Sequence, residues 1–153
     1  MDAVKLMFGG DVMLGRLACQ AIARYGPAYP LWPVARMLRA ADLTVVNLEC
    51  AITASQAHWP GQPKAFYFGA PPQAADSLSG AGIDLVSLAN NHILDFGVEG
   101  MRDTLRHLRQ HQIRFAGAGD DIDEACSPAF IERKAIRFGM AAFCDHQADF
   151  AAG

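Results

Sequence analysis

The chain has no basic run. A net charge of −3 over 153 residues gives no electrostatic sign of nucleic-acid binding. It also lacks any apolar stretch of about 18 residues or more, so no membrane span is expected, and no signal peptide is recognisable. The 4 cysteines, Cys19, Cys50, Cys126 and Cys144, form no C-x-x-C pair and fit no zinc spacing. Dispersed, partly buried thiols of this kind favour a reducing, cytoplasmic setting. Charge is sparse, at 19% against 52% hydrophobic residues, which excludes a disordered chain. Internal repeats, low-complexity tracts and domain boundaries are absent too. One domain is therefore expected, able to bury about two thirds of its unfolded surface.

What is present alternates. Val4 to Phe8 reads as a strand broken by Gly9-Gly10-Asp11. Leu14 to Arg24 has helical spacing, and Pro33 suits the first turn of a second helix running to about Ala40. Leu43 to Leu48 is an apolar, β-branched strand. Ala51 to Gly69, with Pro60, Gly61 and Pro63, reads as a long loop of the kind that often carries function. Pro71-Pro72 opens a helix that Gly80 and Gly82 close, and Ile83 to Leu88 is the next strand. Val98 to His111 is a helix with a core stripe at Val98, Met101, Leu105 and Leu108. Ile113 to Phe115, a short helix from Asp121 to Cys126, and a hairpin over 129–143 complete the pattern. Strand–helix alternation predicts an α/β fold with a largely parallel sheet flanked by helices.

In such a sheet, ligands bind outside the carboxyl ends of the strands. Three successive strand ends here carry polar clusters: Asp11 after the first, Asn47 and Glu49 at the second, and Asn90, Asn91, His92 and Asp95 after the third. Two carboxylates, amide oxygens and an imidazole are ligands for a hard or borderline divalent cation, which would also relieve repulsion between the carboxylates. The competing reading makes Asp11 and Asp95 helix caps and the asparagines turn residues. Arg102, Arg106 and Arg109 share a helix face with Glu99 and Asp103 and read as solvated. His107 and His111 sit i, i+4 on the same helix with nothing to turn them toward the sheet edge, and also read as solvated. His58 in the long loop and His146 near a strand end are candidates to reach the site; Trp32 and Trp59 are expected to pack.

Four segments occur in fixed order: FGGDVMLGR (Phe8 to Arg16), VVNLECAIT (Val45 to Thr53), LANNHILDFG (Leu88 to Gly97) and GAG (Gly117 to Gly119). Together they resemble the CapA family of bacterial capsule and poly-γ-glutamate synthesis proteins, itself related to calcineurin-like metallophosphoesterases. The resemblance implies a metallophosphatase-like sandwich and a divalent metal ion (Mn, Fe, Zn or Mg). It implies that Asp11 and Glu49 hold metal, that Asn91 is a neutral ligand and that His92 protonates a leaving group. Asn47, Asn90, Asp95, Arg16, His58 and His146 are then candidates for contacts to substrate or to those ligands.

The sequence departs from the wider phosphoesterase pattern: Met13 stands where that pattern has a histidine, and Asn90 where it has a glycine. Its later histidines have no counterpart, so the chain is expected to be the N-terminal half of a longer domain. Three readings follow. The chain is a metal-dependent hydrolase of a phosphoester or related bond, a non-catalytic protein that binds an anionic polymer or serves the capsule-synthesis machinery, or an inactive fragment. Family members are often anchored outside the cytoplasmic membrane, which conflicts with the absence of an anchor in this chain.

Overall fold

The computed structural model describes residues 3–145 and 148–151. Its centre is a parallel sheet of four strands in the order β1-β2-β5-β6: β1 Leu6–Val12, β2 Leu43–Leu48, β5 Leu85–Ser87 and β6 Arg114–Ala116. Helices α1 (Leu17–Tyr25), α2 (Trp32–Leu38), α3 (Ala74–Ala81) and α4 (Gly97–Gln110) connect the strands. The parallel α/β expectation therefore holds. Alternate residues of a strand face one side. Val46 and Leu48 of β2 and Val86 of β5, with Leu88 just beyond it, accordingly share one core with Ile22, Leu38, Leu78, Leu105 and Leu108 from the helices. Gly82 closes α3 in the left-handed conformation, φ 82°.

Some elements differ from the sequence reading. The long loop contains two short strands, β3 (Ala51–Ile52) and β4 (Gly69–Ala70), which pair in parallel. Two residues apiece are too short for period-two alternation to register. The hairpin is β7 (Ala129–Arg133) and β8 (Ile136–Met140), preceded by α5 (Ile122–Cys126). It is fastened to the starts of the sheet strands by Arg133–Asp84 at 2.7 Å and Lys134–Asp42 at 2.9 Å. Trp32 does not pack as expected; it opens α2 and is 72% exposed, because the buried side of that helix is Ala35 and Leu38. Leu6 and Phe8 of the edge strand β1 are exposed as well.

The feature of β1 that matters most is a bulge. Phe8 is in register with Val45, but Asp11 is in register with Asn47, so Gly9 and Gly10 together face Val46. A Cβ on Gly9 would lie 3.0 Å from Val46 Cγ1, which explains why glycine suits this place. The extra residue changes the phase of β1, and Asp11 arrives level with Asn47 on the neighbouring strand.

Two predictions follow from the packing. Thr104, fully buried on α4, accepts a hydrogen bond from Ile52 N–H at 2.8 Å and donates to Gly100 C=O at 2.7 Å. Thr104→Val strands that N–H and is expected to destabilise the fold by about 1–3 kcal/mol in urea titration; Thr104→Ser should keep most of the stability. An unchanged midpoint for the valine variant would contradict the assignment. Burial pushes the Cys50 thiol up to about 12. At pH 8, iodoacetamide should therefore alkylate exposed Cys126 and spare Cys50 until the chain is unfolded, as peptide mass spectrometry would show.

Candidate functional site

Because β1, β2 and β5 are adjacent and parallel, their carboxyl ends form one rim. Asn47 is its hub. Its Nδ2 donates to Asp11 Oδ1 at 2.8 Å and to Glu49 Oε2 at 2.5 Å, while its Oδ1 accepts from Asn90 Nδ2 at 3.1 Å. The two amide protons are thus spent on two carboxylates from different segments. Asn90 links β2 to the turn after β5. Its Nδ2 also donates to Leu48 C=O at 2.9 Å, and its Oδ1 accepts from His92 N–H at 3.0 Å. The second contact is the i to i+2 turn expected of asparagine; the amide serves the turn and the rim at once.

His92 is buried and stacked on Phe68, with ring centroids 4.0 Å apart. Its Nδ1 lies 2.6 Å from Asp95 Oδ2, and its Nε2 lies 3.8 Å from Glu49 Oε1. Asp95 has no exposed surface. Its Oδ2 also accepts from Phe68 N–H at 2.7 Å, and its Oδ1 accepts from Lys64 Nζ at 2.5 Å. Lys64 further donates to the Asn91 carbonyl. A carboxylate in this position would be costly without such partners. Neither Asp11 nor Asp95 caps a helix: α1 starts after Arg16 and α4 after Phe96, both without a side-chain cap.

The other sequence candidates divide. Asn91 follows Asn90 into the turn, half-buried, and its side chain makes no hydrogen bond among the described residues. Arg16 is exposed, with its guanidinium 5.1 Å from the centre of the Phe66 ring. His58 stacks on Tyr67 at 3.9 Å and meets Phe96 edge-on, which makes it a packing element of the long loop. His111 pairs with Asp76 on α3 at 2.9 Å. His146 lies outside the described residues.

Lys64 was not among the sequence candidates. The signal was present: it is the only Asp, Glu, Lys or Arg between Ala51 and Gly69. A lone charge in a loop rich in proline and aromatics invites a search for its partner.

The sequence candidates that converge gather at the rim rather than in a deep pocket. A cavity of about 460 Å³ opens beside it, between α4, the Gly117–Gly119 turn and Phe150, and of the rim residues only Asn90 lines it. Among the described residues, no three His, Cys, Asp or Glu side chains form a group that could hold a metal ion. The acidic groups that do converge are Asp11 and Glu49, both within hydrogen-bond reach of the one Asn47 nitrogen.

Residues 5–152 match the model of the family described as bacterial capsule synthesis protein PGA_cap. The capsule biosynthesis protein CapA of Bacillus anthracis is 25% identical, over 89% of this chain and 33% of its own length. The PGA biosynthesis protein CapA of Bacillus subtilis is 27% identical, over 81% of this chain and 32% of its own length. A probable polyglutamine synthesis accessory protein of Mycobacterium tuberculosis is 30% identical, over 92% of this chain and 46% of its own length. The chain thus spans about a third to a half of the length of these relatives.

The Lys64–Asp95 pair can be tested directly. Lys64→Met leaves the buried carboxylate short of its cation and is expected to cost on the order of 3 kcal/mol of stability in denaturant titration. Lys64→Arg, which keeps the charge, should cost less. A methionine variant within about 0.5 kcal/mol of the parent, the ordinary range for a surface change, would contradict the burial assigned to this pair.

Proposed function

The chain belongs to the bacterial capsule synthesis protein family PGA_cap, and on that premise we propose that it is a hydrolase of a phosphoester or related bond in the synthesis of a capsular or poly-γ-glutamate polymer. The observation that carries the reading is the 2.6 Å contact between His92 Nδ1 and buried Asp95. The Asp95 carboxylate, at 2.6 Å much nearer to Nδ1 than the Lys64 ammonium at 3.4 Å, favours the tautomer in which Nδ1 carries the proton. Nε2 is then the nitrogen that exchanges protons, and it faces the rim, 3.8 Å from Glu49 Oε1. Phe68 against the ring face and Phe68 N–H on Asp95 hold both members in place. With Nδ1–H held by Asp95, the imidazolium form carries its second proton on Nε2, and a rigidly held ring at the end of parallel strands is suited to donate that proton to a leaving oxygen.

The donor set fits a hard divalent cation of the Mg²⁺ or Mn²⁺ kind. Such ions retain water and are commonly held by only one or two protein carboxylates plus substrate oxygens. On this reading Asp11 and Glu49, which share the Asn47 amide, would be those carboxylates, and the Asn91 amide, whose side chain makes no hydrogen bond among the described residues, would serve as a neutral third donor. A bound cation would polarise the substrate and favour deprotonation of the attacking water. The remaining work falls to the chain. Asn47 holds the two carboxylates side by side, Asn90 ties them to the His92 turn, and Asp95 aims the imidazole.

The test is turnover of p-nitrophenyl phosphate with manganese. His92→Ala is expected to lower kcat by about 100-fold or more, and Asp95→Asn to lower it with the ring freed. Equal turnover by parent and His92→Ala, or no turnover by the parent, would overturn the reading.

A further inference from the structure

The rim is acidic, and the ammonium at its base is committed. Lys64 is spent on Asp95 and on the Asn91 carbonyl. An anionic substrate therefore needs another cation to hold whatever part of it lies beyond the reacting bond. From His92 outward, the rings form a ladder. His92 stacks on Phe68 at 4.0 Å, Phe68 on Phe66 at 6.3 Å, and the Arg16 guanidinium lies 5.1 Å from the Phe66 ring centre. Phe66 is 55% exposed, and Arg16 is exposed without a carboxylate partner among the described residues. A cation–π contact at this distance holds the guanidinium over the ring, and an exposed guanidinium keeps N–H groups for bidentate contact with a carboxylate or phosphate.

The backbone at Arg16 is itself unusual. Arg16 has φ 52° and ψ −120°, a conformation that a residue with a side chain rarely adopts and that costs on the order of 1–3 kcal/mol. Its neighbour Gly15 is buried so tightly that a Cβ there would lie 2.5 Å from the Gly69 carbonyl oxygen, which locks the turn after Asp11 against β4. The same turn thus delivers Asp11 to the rim and Arg16 to the far end of the ladder.

We propose that Arg16, on its Phe66 platform, is a docking site for an anionic group of the substrate remote from the bond that reacts at His92. The inference rests on the hydrolase reading for its direction but is tested without turnover. Calorimetry would measure binding of two probes, a γ-linked glutamate oligomer and a linear oligophosphate, to the parent, Arg16→Gln, Arg16→Lys and His92→Ala; free glutamate and inorganic phosphate serve as short controls. Arg16→Gln is expected to weaken one oligomer by roughly tenfold, with the lysine variant intermediate. The short controls should be unaffected, and the probe that loses affinity tells whether the group is a carboxylate or a phosphate. His92→Ala should still bind that oligomer, which separates this proposal from the failure of catalysis at His92. Unchanged affinity of Arg16→Gln for both oligomers, equal losses for oligomer and short control, or no oligomer binding by the parent would overturn it.

Discussion

Asp95 is a carboxylate with no exposed surface, and the site is arranged around the need to satisfy it. Three donors from three places in the chain meet on its two oxygens: the Lys64 ammonium, the Phe68 backbone N–H and the His92 ring. Its own backbone carbonyl takes Trp59 N–H at 3.0 Å. The segment between β3 and β4 is therefore held at both of its halves by one residue of the turn after β5. Leaving such a group partly unpaired is more expensive than most single contacts in a domain are worth. This gives a loop without regular structure a defined place, and it sets the Phe68 ring against His92.

The second constraint is register. Parallel pairing brings the ends of β1, β2 and β5 to one rim, but an unbulged β1 would carry Asp11 past Asn47 in the wrong phase. The Gly9–Gly10 bulge corrects this, and Asn47 then divides its two amide protons between Asp11 and Glu49. The rim holds an acidic pair, bridged by an amide, beside an imidazole whose other nitrogen is anchored. Under the proposed hydrolase reading, this arrangement would serve proton transfer at a substrate oxygen and would leave the anionic parts of the substrate beyond the reacting bond to cations outside the rim.

Much of this was legible in the chain. β2 was readable to its ends because its apolar, β-branched run is bounded by Asp42 and Glu49. The stripe on α4 located Met101, Leu105 and Leu108 in the core, although Val98 in its first turn is 41% exposed. Polar residues at three consecutive strand ends pointed to Asp11, Asn47, Glu49, Asn90, His92 and Asp95, and all six join one hydrogen-bonded and ion-paired cluster. What local pattern could not supply was set at long range. The bulge depends on where Val46 sits on the next strand, β3 and β4 are too short to show alternation, and Lys64 acquires its role only through Asp95, far along the chain. Trp32 misled for a related reason. A large aromatic suggests core, but the neighbours that bury a residue are chosen by the helix face, which here belongs to Ala35 and Leu38.

The central claim is that Asp95 and His92 act as one unit, and a double-mutant cycle in stability measures that unit most directly. Asp95→Asn, His92→Ala and the double variant would be unfolded in urea under identical conditions. The account predicts that the double variant loses less than the two single losses combined, by on the order of 1–3 kcal/mol. Strict additivity would mean that the two side chains do not interact in solution and would contradict the arrangement described for this site.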